Sequence, residues 1–213
     1  NQADFVACHS FPMLFQFDMI SSLKQGGTFL LNTGESADTI WAKLPKRVQE
    51  GLIAKKAKFY VLDGYGVAKK VGLGGRINIV MQTAYFALAD ILPKDKAQEM
   101  IENEVKKSYG SKGDKIVEQN ISASRQALAH MAEVKVPATA TSTIPMASID
   151  TSKAPEFVKK LTADLILGRG ESVPVSKMPV DGTFPTATSL YEKRCIAQDI
   201  PMWDSSVCIQ CAQ

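Results

Sequence analysis

The sequence has no run of about 18 consecutive apolar residues, which is the length that a membrane-spanning helix needs. We therefore expect no transmembrane helix. An excess of charge of one sign is also missing, because 25 basic and 22 acidic residues leave a net charge of +3. Such a balance favours neither a nucleic-acid partner nor a charged membrane surface. The four cysteines have no regular spacing, which argues against a disulfide framework and indicates a reducing compartment.

Catalytic motifs built on histidine are scarce, since the chain has two histidines and no Ser/His/Asp or Cys/His pair at an informative spacing. His9 follows a predicted strand, where it could contact a ligand, although an ordinary surface histidine is the favoured interpretation. His130 is predicted on a polar helix face, without a chemical role. The chain also lacks an initiator Met and a basic signal-peptide start. We expect a piece of a longer protein at this end.

What the sequence does contain is a regular alternation of strands and helices, with enough apolar residues (45%) for a sizeable core. Apolar runs predict strands at residues 4–8, 28–32 and 58–62, and helical spacing predicts helices at 11–23 and 45–56. This order predicts an α/β fold, a three-layer α/β/α domain with a largely parallel sheet. Three strands are few for such a sheet, so we expect it to be incomplete at its N-terminus.

Beyond residue 92 the pattern becomes helical and then irregular. Predicted helices cover residues 77–92, 94–109, 114–134 and 153–167. Four prolines and weak periodicity after the last helix predict an extended arm that lies on a partner surface. The predicted organisation is an α/β domain at 1–136, a linker at 137–152, a helix and extended arm at 153–202, and the truncated start of another domain at 203–213.

A glycine-rich stretch, residues 71–78, stands at the start of the predicted helix 77–92. Its glycines permit a sharp turn and a close approach of a ligand or a neighbouring chain. The free N–H groups of a helix start attract anions, and Arg76 and Asn78 add a guanidinium fork and an amide. The spacing is a near miss to G-x-G-x-x-G. Two interpretations stay open, ligand binding and a tight turn that packs helix on sheet.

Cys208 and Cys211 form a Cys-x-x-Cys pair near the chain end. Such spacing begins iron–sulfur sites of the bacterial ferredoxin type, which need four thiolates. A redox pair, half of a zinc site and two ordinary thiols are the alternatives. Cys8 ends an apolar run and is predicted to be a buried small hydrophobic residue.

Several of these segments together resemble pyruvate:ferredoxin (flavodoxin) oxidoreductases, in the middle, gamma-type domain of that family. The similarity covers essentially the whole chain in the right order. The segments that carry it are residues 1–9, 72–78, 81–84, 109–120, 181–185, 189–194 (with Glu192-Lys193-Arg194, the "EKR" of the family) and 208–211.

The resemblance implies an enzyme that decarboxylates a 2-oxoacid, usually pyruvate, on thiamine diphosphate. It implies electron transfer through 4Fe-4S clusters to ferredoxin or flavodoxin, and delivery of the acyl group to coenzyme A. The middle domain is associated with coenzyme A binding, and the matching positions are Asn78 and Asn120, with Arg76 as a less certain neighbour. Cys208 and Cys211 would be the first two ligands of one cluster. The thiamine diphosphate site would lie in other domains.

The resemblance further implies a homodimer in the cytoplasm, or in the matrix of an anaerobic organelle if the source is eukaryotic. The partners would be the other domains of the enzyme, and this piece alone would be inactive. A purely structural scaffold is the main alternative. A nicotinamide oxidoreductase is disfavoured, because the glycine spacing is wrong and no acidic residue stands about 20 positions after a proper fingerprint.

Overall fold

The computed structural model describes residues 2–146, 151–191, 201–209 and 211. Two compact units divide the chain, Asn1–Ile149 and Asp150–Gln213. Within the described ranges, no helix combines the length and apolar character needed to cross a membrane.

The first unit is built on a sheet with strand order β1-β2-β3-β4. β1 and β2 are parallel, β2 and β3 are parallel, and β4 runs antiparallel to β3. This arrangement confirms the largely parallel sheet. The strands are β1 (Ala3–Cys8), β2 (Leu23–Asn32), β3 (Lys58–Leu62) and β4 (Met131–Val134).

Helices cover both faces of this sheet, as the three-layer prediction requires. Side chains of β2 alternate between the faces, so Phe29 and Leu31 pack in one apolar cluster with α1 and α2, whereas Leu30 packs in another with α3, α4 and α6. A third cluster joins α5 to α4. The helices are α1 (Ile40–Lys43), α2 (Lys46–Ala54), α3 (Gly64–Lys70), α4 (Asn78–Leu88), α5 (Lys94–Tyr109) and α6 (Asp114–Ala129).

The predicted helix at residues 11–23 is wrong. The structure has two short 3₁₀ turns there, Phe11–Phe15 and Ile20–Ser22. Between them the Asp18 carboxylate accepts the Ser21 N–H at 3.1 Å, and the Ser21 hydroxyl donates to the Asp18 carbonyl at 3.0 Å. This local turn competes with the helical ladder, and the chain then enters β2 five residues earlier than the predicted strand start.

The predicted helix at residues 114–134 is too long. α6 ends at Ala129, and residues 131–134 form β4. Tyr60 of β3 stands opposite Glu133 in this ladder. Burial, together with the nearby Glu133 carboxylate, raises the pKa of Tyr60. The edge of the sheet at β3 is thereby closed by an antiparallel strand.

In the second unit, a helical segment runs from the π-helical turn Val158–Thr162 into α7 (Ala163–Ile166). It occupies the centre of the predicted helix 153–167. Short 3₁₀ turns follow at Gly170–Ser172, Val175–Lys177 and Thr188–Tyr191, and no strand forms in the described part of this unit. Glu192-Lys193-Arg194 lies outside the described residues.

Candidate functional site

The carboxyl ends of β1, β2 and β3 lie at one edge of the sheet, because the three strands are parallel. Asn32 at the end of β2 is 2% exposed. Its Nδ2 donates to the His9 carbonyl at 2.9 Å, and its Oδ1 accepts the Gly64 N–H at 2.8 Å. A Cβ on Gly64 would lie 2.9 Å from that Oδ1, so this contact needs a glycine. Asn32 therefore ties the end of β1 to the start of α3.

The sequence analysis overlooked Asn32, although an asparagine that closes an apolar strand at this edge was a usable signal. α3 was also missed, and it lies between β3 and the glycine stretch. Asp63 caps α3 by accepting the Gly66 N–H at 2.8 Å. The glycine stretch lies after this helix and connects α3 to α4.

The glycine stretch is held by Leu73, which is 5% exposed and whose N–H donates to the Ala68 carbonyl at 2.8 Å. Gly72 and Gly74 have φ angles of +83° and +63°, in the left-handed region that favours glycine. A Cβ on Gly72 would lie 2.5 Å from Nε2 of Gln119 on α6. Part of the stretch therefore has the packing role that the sequence analysis kept open.

A groove of about 570 Å³ opens between β1 and the start of α4. This volume lies within the usual range for small-molecule sites. Predicted site residues Arg76 and Asn78 both line it, and both are exposed or partly exposed. The groove is also lined by Phe5, Ala7 and His9 on the β1 side and by Met81 and Tyr85 on α4.

The groove is apolar at one end and polar at the other. Phe5 and Tyr85 form an edge-to-face pair with ring centroids 5.1 Å apart, and they close the apolar end. Arg76, Asn78 and His9 supply polar groups at the other end, and Gln82 of α4 adds an amide to the lining. Within the part of the chain that the structure describes, Arg76 makes no ion pair, so its guanidinium is available to an anion.

Asn78, the first residue of α4, contacts a second element. Its Nδ2 lies 3.4 Å from the Tyr109 hydroxyl at the end of α5, a long distance for such a bond. Lys112 Nζ lies 5.2 Å from the centre of the Tyr109 ring, within the range of a cation–π contact. Tyr109 and Lys112 thus stand behind Asn78, and sequence reasoning did not single them out as site residues.

Asn120, the third predicted site residue, lies elsewhere. It is 3% exposed on α6, and its Nδ2 donates to the Ile116 carbonyl at 2.8 Å. It is not among the residues that line the groove. Its neighbour Gln119 touches the glycine stretch at Gly72. Asn120 could therefore affect a ligand in this groove only indirectly, through the packing of α6 against α3, α4 and the glycine stretch.

The cysteines fall into two classes. Cys8 is 1% exposed, and burial raises the pKa of its thiol, which confirms the prediction of a buried hydrophobic residue. Cys208 and Cys211 are both exposed. Among the described residues no group of three or more Cys, His, Asp or Glu side chains is placed to hold a metal. A complete 4Fe-4S site needs four thiolates, so this pair by itself does not fit a cluster.

The fold and groove define a three-layer α/β/α protein with a small-molecule-sized groove at the carboxyl edge of its sheet. Residues 1–130 match the family described as pyruvate ferredoxin/flavodoxin oxidoreductase. Residues 144–197 match EKR, described as a domain of unknown function. The chain belongs to the pyruvate ferredoxin/flavodoxin oxidoreductase family, as the resemblance predicted.

Curated relatives agree. A "probable pyruvate-flavodoxin oxidoreductase" of Escherichia coli (strain K12) is 43% identical over 211 residues, which cover 99% of this chain and 18% of the relative. The "pyruvate:ferredoxin oxidoreductase" of Moorella thermoacetica is 39% identical over 213 residues, covering 100% and 18%. The chain therefore spans about 18% of the length of these relatives. Subunit PORC of the pyruvate oxidoreductase of Thermotoga maritima is structurally similar, with a TM-score of 0.49, 19% identity, and coverage of 63% of this chain and 66% of that one.

Proposed function

We propose that this chain is the coenzyme A-binding and scaffolding part of an enzyme that oxidatively decarboxylates pyruvate to acetyl-coenzyme A. In the proposed enzyme thiamine diphosphate supplies the decarboxylation chemistry, and electrons leave through 4Fe-4S clusters to ferredoxin or flavodoxin. The names of these relatives support pyruvate and ferredoxin or flavodoxin as reactants. A cytoplasmic homodimer is part of the same proposal.

The observation that carries coenzyme A binding is the meeting of Arg76 and Asn78 in one groove beside the start of α4. Coenzyme A combines phosphate groups with a long arm that is partly apolar and partly amide. A guanidinium forms charge-assisted hydrogen bonds with phosphate, and an asparagine amide both donates and accepts. The apolar wall of the groove suits the arm.

The residues of this chain would bind and orient the acyl acceptor rather than make or break bonds. A thiol at the end of a flexible arm reacts efficiently only when the arm is held in one geometry. Arg76 and Asn78 would fix the polar part of the ligand, and Asn120 would act from behind the glycine stretch. Cys208 and Cys211 remain proposed as the first two cluster ligands in the full-length enzyme.

Isothermal titration of coenzyme A into the 213-residue chain, and into a version extended at its N-terminus, tests the proposal. Loss of one neutral hydrogen bond costs about 0.5–1.5 kcal/mol and loss of one to a charged group about 1.5–3 kcal/mol. We therefore expect Asn78→Ala to weaken binding about 2- to 10-fold and Arg76→Gln about 10-fold or more. Asn103→Ala, at an exposed asparagine of α5 outside the groove, is the matched control.

Asn120→Ala belongs in the same series and is expected to lower both affinity and stability, because the side chain is buried. Unchanged affinity in the Arg76, Asn78 and Asn120 variants would leave only the scaffold function.

One observation favours a scaffold role in addition. Large apolar side chains of the second unit are exposed, with Val180 fully so, Trp203 at 71% and Ile209 at 86%. Side chains of this kind usually mark contact surfaces. We propose that they pack against other domains of the full-length enzyme, as expected of an extended arm. Limited proteolysis of the isolated chain should cut first within residues 175–191 or 201–209, and the same cuts should be suppressed in the full-length enzyme.

A further inference from the structure

His9 lies at the polar end of the groove, directly after the end of β1. Phe5 and Ala7 lie on one face of β1 by the alternation of the strand, and all three residues line the groove. From Phe5 to His9 the strand direction covers about 13 Å at about 3.3 Å per residue. From Tyr85 back to Asn78, α4 covers about 10 Å at about 1.5 Å per residue. Since Phe5 pairs with Tyr85, His9 faces the start of α4.

The backbone at His9 is fixed while the imidazole is exposed. The His9 carbonyl accepts the buried Asn32 amide at 2.9 Å. The two residues that flank His9 are also joined, because the Cys8 thiol donates a hydrogen bond to the Ser10 carbonyl at 3.1 Å. In the described residues the imidazole itself has no hydrogen-bond or ion-pair partner. The ring therefore stands on a fixed backbone, and its nitrogen atoms are available to a ligand.

We infer that His9 is a third ligand-binding residue and that it donates a hydrogen bond to a phosphate group of the ligand. The inference rests on the proposed function. His9, Arg76 and Asn78 bring N–H donors of three kinds to one end of the groove. Phosphate oxygens are acceptors, so the nucleotide phosphates lie at this end. The pantetheine arm then runs along Ala7 and Met81 toward the Phe5–Tyr85 pair.

Two probes separate the two ends of the ligand: adenosine 3′,5′-bisphosphate carries the phosphates without the arm, and pantetheine carries the arm without phosphates. Binding of each to the 213-residue chain is followed by ¹⁵N–¹H correlation spectra, which detect millimolar affinities. We expect His9→Ala to weaken bisphosphate binding about fivefold and to leave pantetheine binding within twofold. His9→Gln retains an N–H donor and should recover part of the loss.

His130→Ala is the matched control, because the only other histidine is exposed at the end of α6 and does not line the groove. If the His9→Ala variant and the unaltered chain bind the bisphosphate equally well while Asn78→Ala binds it more weakly, the role of His9 is overturned. The proposed function then still stands. A His9→Ala loss confined to pantetheine overturns the orientation. If the unaltered chain does not bind the bisphosphate at 10-millimolar levels, the assignment of the phosphates to this end of the groove is wrong. If neither variant affects either probe, the proposed function fails as well.

Discussion

Replacing Gln49 by methionine keeps the length of the side chain and removes three hydrogen bonds. Gln49, on α2, is fully buried. Its Nε2 donates to the Trp41 carbonyl at 2.6 Å, and its Oε1 accepts the N–H groups of Thr141 and Ser142 at 2.8 and 2.9 Å. One amide therefore joins α1, α2 and a segment more than 90 residues away in sequence.

The magnitude follows from which groups keep access to water. Thr141 is exposed, so its N–H can be solvated in the variant, and the Trp41 carbonyl still accepts the Leu44 N–H at 3.2 Å. Ser142 is 9% exposed, so its N–H is left buried without a partner. A buried polar group left without a partner costs about 1–3 kcal/mol. The Ser142 N–H is one such group, and the lost hydrogen bond to the Trp41 carbonyl adds about 0.5–1.5 kcal/mol, so the expected loss is about 1.5–4.5 kcal/mol. We expect about 3 kcal/mol, a large share of the stability of a typical domain.

Urea denaturation followed by far-ultraviolet circular dichroism measures this loss, and amide hydrogen exchange at Ser142 reports the local opening. Gln25→Met is the matched control, because Gln25 is exposed and donates a single bond to the Ala54 carbonyl at 3.2 Å. The control should change stability by less than about 0.5 kcal/mol. A Gln49→Met loss below about 1 kcal/mol, with Ser142 exchange unchanged, would refute the reasoning.

Three further outcomes are expected. Tyr109→Phe removes the hydroxyl beside Asn78 and should weaken coenzyme A binding about twofold in calorimetry, while the free energy of unfolding stays the same. A loss of affinity as large as that of Asn78→Ala would contradict a supporting role for Tyr109. Hydrogen bonds from Arg125 and then Gln98 lower the pKa of Glu102. The stabilisation of the fold by the ionised Glu102 is therefore complete above the unfolded-state pKa near 4.5, and it is lost as the pH falls through the lower folded-state pKa. Glu102→Gln should therefore destabilise the chain in urea at pH 7, and should do so progressively less as the pH is lowered below 4.5. An equal effect at pH 7 and at the lowest pH would exclude the ion pair as the cause. Gly72→Ala should lower the midpoint of thermal unfolding, because φ at Gly72 is +83° and the added Cβ would meet the Gln119 side chain of α6. An unchanged midpoint would refute that packing.

Helices and strands whose ends are marked by neighbouring residues could be predicted with the correct bounds. β3 occupies residues 58–62 as predicted, since an apolar, β-branched run is bounded by polar residues on both sides. α5 occupies residues 94–109 as predicted, because Pro93 precedes it and Gly110 follows it. In both cases the sequence around the element marks its ends, and no distant contact has to be known.

Elements that depend on distant partners were missed. β4 has four residues and exists through its pairing with β3, and its apolar residues Met131 and Val134 also fit the helical spacing of α6. β2 begins at Leu23, the last residue of the predicted helix 11–23, and includes the glycines at 26 and 27 ahead of the predicted strand. There Gly27 allows close contact with Leu23 and the Asp4 carbonyl. The pairing with β1 shifts register here, from Leu23 opposite Ala3 to Thr28 opposite Phe5, and Gly26 has a φ of +71° within this irregular part. The ladder on either side of it, rather than local propensity, defines β2.

The candidate site divides in the same way. Arg76 and Asn78 follow glycines at a helix start, a pattern that is visible in a few consecutive residues. The opposite wall comes from β1, far away in sequence, and only the parallel pairing of β1 and β2 brings His9 to that helix. A search for motifs could therefore find one wall of the groove and not the other. A ligand held between the two walls would report on both, which is why variants at His9 and Asn78 must be compared on the same probes.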